Sequence, residues 1–408
     1  MSKLTIQKLS ENDIININIK KLNNVSNKLI QDASNVYYKL EQDDKITIDK
    51  IVNNIMKKLE KDNYLMKPIK ITYMLVSENT INMKKYNIPT IDTSSEIKSK
   101  MNKLNIYNLH IYNHIVVVKI YYRYDFSYDT NLKKIMTRLY NLIILLSNKN
   151  NNLYDFTYIF YLYNNVRRAD MNKSGEKYLN CLHNSSMRIF NTSSGLTNMK
   201  DKVVLVSRTE DCLGLLTHEM LHACNDYNFE SNLICHGLEI NLTEAYVNMY
   251  ASILNAYLTC SENDDNINIK QYIILELIHS IIHFNKLAII SGYNIFSLLD
   301  PTCDINFYQD AYMYEYIIGK MLLFLNFSKN INQKKYLSLY GKYNVLINHI
   351  IIIYNNLQDN LQDTIMQYHC IDSMMIIDNK LMNGGSDYYI KYIKYKKKYI
   401  KLQKKIKL

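Results

Sequence analysis

The amino-acid sequence predicts an α+β fold in which a small sheet lies in the N-terminal half and the C-terminal half is helical. Short runs rich in Ile, Val and Tyr occur between residues 69 and 206, with a helix pattern among them. After residue 227 apolar residues recur at helical spacing and strand signals almost vanish. A chain of 408 residues can bury a large core in two or three domains.

The elements follow in a clear order. Helical periodicity predicts helices within residues 17–66. Strand patterns cover Ile69 to Val76, His114 to Tyr124, Phe156 to Tyr163 and Val203 to Val206, with a helix from Leu132 to Leu146 and a loop from Asn191 to Gly195. Apolar helices are expected at 240–258, 268–290, 307–327 and 335–357. Strands that alternate with helices predict an α/β unit, followed by a helical lobe.

Four segments result from this order. Residues 1–66 form an N-terminal helical segment, residues 67–227 an α/β half, residues 228–383 a helical lobe and residues 384–408 a basic tail. The last boundary falls at Asn383-Gly384-Gly385-Ser386, a sequence typical of a loop.

Charge is concentrated in the tail. The chain has a net charge of +11, and residues 388–408 contain nine Lys and no acidic residue, so the remaining residues carry only +2. A nearly neutral body gives no electrostatic argument for a nucleic-acid-binding core. The 37 Tyr and the absence of Trp, together with abundant Asn, Ile and Lys, reflect AT-rich codons rather than a binding function.

The cysteines and the N-terminus indicate an intracellular protein. Seven Cys without a CxxC pair favour free thiols in a reducing compartment. The N-terminus lacks the apolar core of a signal peptide, and no apolar run approaches the roughly 18 residues of a membrane span. We therefore expect a protein that is neither secreted nor transmembrane.

The residues with the clearest chemical meaning are His218, Glu219 and His222, which form a His-Glu-x-x-His sequence in a helical pattern. Histidines four residues apart lie on one face of a helix. Both imidazoles can then bind one tetrahedral Zn²⁺, with Glu219 beside the metal as a general base. A strand pattern precedes this helix, and Ser207-x-x-Glu210 predicts a capping box at its start.

A catalytic zinc site usually has three protein ligands and one open position for water, so a third ligand is needed. Glu244 is the candidate, 22 positions after His222 at the start of an apolar helix. Asn248, one turn further on, could hydrogen-bond a zinc-bound histidine. The loop lengths also permit Glu239 or His236 as the third ligand.

His218-Glu219-x-x-His222 together with the downstream Glu244-Ala245 resembles the gluzincin clan of zinc metallopeptidases. The close similarity covers about residues 203–250. It implies a zincin-like fold, with a small twisted sheet and an active-site helix in the N-terminal half and a helical C-terminal lobe. It also implies that zinc is bound by His218, His222 and Glu244, with Glu219 as the base.

A second resemblance concerns the segment from Phe307 to Tyr316, which is similar to the tyrosine-rich segment of thimet-oligopeptidase-like gluzincins. In that family a Tyr hydroxyl assists the oxyanion, which implies this role for Tyr314 or, second, Tyr312. The His-Gly residues that accompany the tyrosine in that family are missing here. In a chain with 37 Tyr, packing in an aromatic core is the alternative.

The tail has a heptad-like stripe with Lys on the other faces. The stripe consists of Tyr388, Tyr392, Tyr395, Tyr399, Leu402 and Ile406. Such a helix could contact an anionic membrane, a partner helix, nucleic acid or a virion component, and the alternative is a solvated extension. From Gly384 onward the tail resembles the C-terminal tails of proteins of giant DNA viruses of the mimivirus type. This implies a viral protein of the host cytoplasm, the viral factory or the virion.

The expected function is zinc-dependent hydrolysis of peptide bonds in a peptide or protein substrate. Zinc acidifies its bound water and polarises the scissile carbonyl, while Glu219 takes the water proton and passes it to the leaving amine. One alternative is a non-proteolytic zinc protein, such as a structural virion or binding component with a vestigial site. Another is hydrolysis of a peptide-like small molecule, which uses the same chemistry.

Overall fold

The protein has a mixed α+β fold organised around a six-stranded sheet. A computed structural model describes residues 24–61, 71–80, 103–122, 129–147, 151–162, 195–207, 212–224, 233–236, 238–262, 269–291, 293–300, 303, 314–327 and 341–358. Predictions for the tail, for Tyr312 and for residues 163–194 lie outside these ranges.

The sheet contains both parallel and antiparallel strands. Its strands are β1 (Thr72–Thr80), β2 (Lys103–Ile111), β3 (His114–Tyr122), β4 (Thr157–Leu162), β5 (Gly195–Asn198) and β6 (Val203–Ser207). Their order is β1-β2-β3-β4-β6-β5. Strands β1, β2 and β3 are antiparallel neighbours, β3, β4 and β6 are parallel, and β5 is an antiparallel edge strand beside β6.

Helices cover the sheet and form the C-terminal half. They are α1 (Asn24–Lys39), α2 (Gln42–Lys61), α3 (Asp129–Ser147), α4 (Cys212–Cys224), α5 (Leu242–Glu262), α6 (Ile269–Ser291), α7 (Ile295–Leu299), α8 (Lys320–Leu325) and α9 (Asn344–Leu357). A π-helical turn, Tyr314–Gly319, leads into α8. Helix α3 joins the parallel strands β3 and β4, and α4 follows β6 and packs against both β5 and β6.

Helix α6 lies at the centre of the helical half, where it packs against α1, α2, α5, α8 and α9. Within the described residues, its segment Ile269–Ile289 is long and apolar enough to cross a membrane, with a mean hydropathy of 1.3. This corrects the expectation that no run approaches that length. The apolar window is 94% buried inside the protein, as in a core helix.

Several predicted elements are confirmed and others were missed. The expected strands at β1, β3, β4 and β6 and the expected helix at α3 are present. Strands β2 and β5 were not predicted, because Asn and other polar residues dilute their apolar alternation. Residue Gly195 begins β5 and is therefore not part of a loop.

Two further expectations about element boundaries are wrong. Residues beyond 227 were expected to be helical, but a short hairpin is formed by β7 (Leu233–Cys235) and β8 (Leu238–Ile240). Strands of three residues are too short to show a period in the sequence. Ser207 does not cap α4, because it is the last residue of β6 and α4 begins five residues later, at Cys212.

A buried arginine fastens α3 to α5. The guanidinium of Arg138 is fully buried and forms two hydrogen bonds with Glu262, from Nε to Oε1 at 2.8 Å and from Nη2 to Oε2 at 2.9 Å. It also donates to the Asn255 side chain, to Thr259 Oγ1 at 3.1 Å and to the backbone oxygen of Leu213 in α4 at 3.5 Å. These contacts satisfy a charge that would otherwise be costly to bury.

Replacing Arg138 with Met should lower the free energy of unfolding by about 3–5 kcal/mol, because it leaves a buried carboxylate without its partner. Chemical denaturation of the full chain measures this. Replacing Arg138 and Glu262 together with Met should recover much of the loss.

The control for this change is Lys202, which pairs with Asp155 at 2.8 Å while both side chains are about half exposed. Lys202→Met should cost only roughly 0–1 kcal/mol. Equal losses for the Arg138 and Lys202 variants would contradict the assignment of Arg138 as a buried anchor.

Candidate metal centre

Three side chains from two helices converge on one point. His218 and His222 lie one turn apart on α4, with their Nε2 atoms 3.1 Å apart. Glu244, in the first turn of α5, places Oε1 3.4 Å from His222 Nε2 and Oε2 3.7 Å from His218 Nε2. Ligands about 2.0–2.2 Å from a tetrahedral zinc are about 3.3–3.5 Å from one another. The three side chains therefore fit a single metal ion.

The sequence positions α4 by burying it. Leu213, Leu216, Met220 and Ala223 are fully buried in the core, so the helix cannot turn about its axis without exposing apolar surface. His222 is the more exposed of the two imidazoles, since its side chain is 22% exposed. A metal ion bound there could therefore be reached from outside.

Glu244 is fixed by the way α5 begins. Asn241 precedes the helix, and its side-chain oxygen accepts hydrogen bonds from the backbone N–H groups of Thr243 at 3.0 Å and Glu244 at 3.3 Å. This is an N-cap, which satisfies donors that the helix leaves open. The positive end of the helix dipole also favours a carboxylate in this turn.

The π-helical turn holds the first turn of α5 from the other side. The carboxylate of Glu315 accepts the backbone N–H of Asn241 at 2.9 Å, and the Tyr316 hydroxyl donates to Glu244 Oε2 at 3.2 Å. The side chain of Asn248 donates to the backbone oxygen of Tyr316 at 3.1 Å. Three hydrogen bonds thus align the carboxylate of Glu244 with the histidines, and π-turns are frequent at functional sites.

The pKa values of Glu244 and His222 are shifted by their neighbours in the site. Burial alone would raise the pKa of Glu244, but hydrogen bonds and charge from His218 and His222 together hold it well below its ordinary value. Burial alone would lower the pKa of His222, and Glu244 raises it above the ordinary value instead. The site thus holds an anionic carboxylate, which is the form that binds a metal ion.

Glu219 points towards the edge strand of the sheet. Its carboxylate is buried, and the Thr197 hydroxyl in β5 lies 2.8 Å from Oε2. Burial raises the pKa of Glu219, although the nearby His218 and His222 oppose that rise. A rise in the pKa of a carboxyl group favours a role in which the group both accepts and releases a proton.

The other residues predicted for the site lie elsewhere or act differently. Glu239 is exposed on β8. Both ring nitrogens of His236 face backbone oxygens, 3.0 Å from that of Cys303 and 3.2 Å from that of Leu298. Neither belongs to the cluster of possible metal ligands found among the described residues. Asn248 supports the site through the backbone of Tyr316 and not through a histidine.

Within the described residues a tyrosine that the sequence did not single out, Tyr316, contacts the ligands. Its ring lies edge-on to that of His218, with the ring centres 6.0 Å apart. Tyr314 is fully buried and packs edge-on against His236, with the ring centres 6.0 Å apart, so its role at the oxyanion stays a prediction.

Comparison of the chain with protein-family models, with curated proteins and with solved structures found no match in any of the three. The functional argument therefore depends on the geometry of these side chains.

Replacing Glu244 with Ala should weaken binding of Zn²⁺ by more than the roughly 10- to 100-fold that loss of an outer hydrogen-bond partner costs. Titration calorimetry on the full chain measures the affinity. Glu239→Ala is the matched control, and it should bind zinc as the wild type does. Equal affinities for the two variants would remove Glu244 from the ligand set.

The two tyrosines can be separated in the same assay. Tyr316→Phe removes the hydroxyl that orients Glu244 and should weaken zinc binding by roughly 10- to 100-fold. Tyr314→Phe should leave the affinity unchanged. If Tyr314→Phe weakened zinc binding and Tyr316→Phe did not, Tyr314 would be the tyrosine that supports the ligands.

Proposed function

We propose that the protein is a zinc-dependent hydrolase. More narrowly, we propose a metallopeptidase of the gluzincin type, with a zincin-like arrangement of sheet, active-site helix and helical lobe. One observation carries the proposal: ligand atoms of His218, His222 and Glu244 lie within 4.8 Å of one another, and the helix that bears the two histidines also bears the buried Glu219.

The donor set suits zinc. Two imidazoles and one carboxylate are a ligand set found in catalytic zinc sites, where a fourth position stays open. Zinc held by His218, His222 and Glu244 would polarise a carbonyl group and lower the pKa of a water molecule.

Glu219 supplies the proton transfers. As a carboxylate it takes a proton from the attacking water, and as a carboxylic acid it returns that proton to the leaving amine. Its raised pKa suits both halves of this cycle, because a group that must accept and then release a proton works best near the operating pH.

The edge of the sheet favours a peptide substrate. Within the described residues β5 pairs only with β6, so its outer edge can accept the backbone of an extended peptide by strand addition. The same strand carries Thr197, which contacts Glu219. A peptide bound along β5 would therefore pass close to the base, which favours a peptide over a small molecule.

A zinc protein without catalytic activity is the second candidate. Binding or displaying zinc does not require a buried carboxyl group beside the ligands, and such a group is costly to keep. Glu219 is buried and hydrogen-bonded in this position. This observation favours the hydrolase.

For residues 384–408 we propose a sorting or packaging role, in an infected cell or a virion. These residues lie outside the part of the chain that the structure describes.

Replacing Glu219 with Gln should lower kcat for peptide hydrolysis by about 10²- to 10⁴-fold, because the amide cannot accept the water proton. The test is a peptide-library digest analysed by mass spectrometry, beside the zinc content of the same samples. Zinc content should be unchanged.

Glu239→Gln, an exposed acid on β8, is the matched control and should keep full activity. Wild-type turnover by the Glu219→Gln variant would contradict the role of Glu219 as the base. A wild-type protein that binds zinc but cleaves no peptide would favour the non-catalytic alternative.

A further inference from the structure

We propose that Gly195 and Thr197 of the edge strand are positioning residues for Glu219, which together fix where its carboxylate lies beside the metal ligands. This inference rests on the proposed hydrolase function. It assigns a task to a four-residue strand whose sequence, Gly-Leu-Thr-Asn, carries no catalytic motif.

Thr197 fixes one carboxylate oxygen. Its Oγ1 lies 2.8 Å from Glu219 Oε2 and also 2.8 Å from the backbone oxygen of Glu219. A hydroxyl has one proton to donate, and the charged carboxylate is the stronger acceptor. Thr197 therefore holds Oε2 in place, and the other oxygen, Oε1, lies next to Gly195.

Gly195 provides the space for that oxygen. A β-carbon at residue 195 would lie 2.3 Å from Glu219 Oε1, 2.6 Å from Cγ and 2.7 Å from Cδ. Real β-carbons do not approach other atoms so closely, so any side chain at this position would displace the carboxylate. Gly341 is the glycine with a positive φ in the described residues, so the requirement at Gly195 is for space rather than for backbone conformation.

The strand geometry lets the two residues act together. Residues two apart on a strand face the same side, so Gly195 and Thr197 both face Glu219. Their partners in β6 are Val206 and Val204, which are buried. Strand β6 in turn precedes α4, and α4 packs against β5. The base and its supports thus belong to one packed unit.

A purely structural role for Thr197 makes different predictions. If its hydroxyl only tied β5 to α4 through the backbone oxygen of Glu219, its loss would reduce stability and substrate affinity alike. A positioning role confines the loss to the chemical step and makes it depend on the carboxylate of Glu219.

The test compares Thr197→Val with Thr197→Ser in the zinc-loaded full chain, using a fluorogenic peptide chosen from the wild-type library digest. Thr197→Val should lower kcat by roughly 10- to 100-fold, the value of a hydrogen bond to a charged group, with KM and zinc content unchanged. Thr197→Ser keeps the hydroxyl and should restore most of kcat.

Thr157→Val is the matched control, because Thr157 begins β4 in the same sheet. It should behave as the wild type. A Thr197→Val protein with wild-type kcat would overturn the proposal, and so would one that loses kcat only because zinc is lost.

A double-mutant cycle gives the sharpest reading. On the Glu219→Gln background, Thr197→Val should cause little further loss of kcat, because the group it positions has already been removed. An equal loss on both backgrounds would show that Thr197 acts elsewhere.

Gly195→Ala should also lower kcat while zinc stays bound. If that variant fails to fold, the Thr197 series alone decides the matter.

Failure of the proposed function can be told apart from failure of this inference. If the zinc-loaded wild type cleaves no peptide, the hydrolase proposal fails. Crystal structures of the zinc-loaded wild type and Thr197→Val then decide the positioning. A Glu219 carboxylate turned away from Gly195 in the variant supports it, and an unmoved carboxylate overturns it.

Discussion

The site depends on the meeting of the Glu244 carboxylate with the imidazoles of His218 and His222. Polar groups so far out of water are costly unless each finds a partner. The first turn of α5 and the π-helical turn are arranged to provide those partners, through Asn241 and Tyr316. On the other side of the site, the apolar packing of α4 holds His218 and His222 in place. The arrangement of α4, α5 and the π-helical turn therefore satisfies what this cluster requires.

Helix α5 is held at both ends, which explains how a single carboxylate can be placed so closely. At 21 residues it is about 31 Å long. Its first turn is fixed by hydrogen bonds from the π-helical turn, and its last turns are fixed by Arg138 through Glu262 and Thr259. A long helix held only near its middle would let its ends swing. Here the contacts of Arg138 and the contacts at the metal site hold opposite ends of the same helix.

The sequence predicted what is local and missed what depends on tertiary contacts. His218, Glu219 and His222 share one helix, so their spacing alone places them together. Tyr316 was missed because a π-helical turn bonds residue i to i+5 and changes which side chain faces a neighbour. The resemblance of this segment to that of thimet-oligopeptidase-like gluzincins had favoured Tyr314 for that place. Strand β5 has only four residues, too few to show a period in the sequence. It forms because it pairs with β6, which is a tertiary contact.

The Arg138 network also constrains how the protein can evolve. Loss of either Arg138 or Glu262 alone leaves a buried charge without its counterion, whereas an apolar pair of similar volume can be tolerated. Intermediates between the two solutions are therefore unfit, and the positions can drift only as a pair. Among relatives of this chain, residues 138 and 262 should covary, although 124 positions separate them.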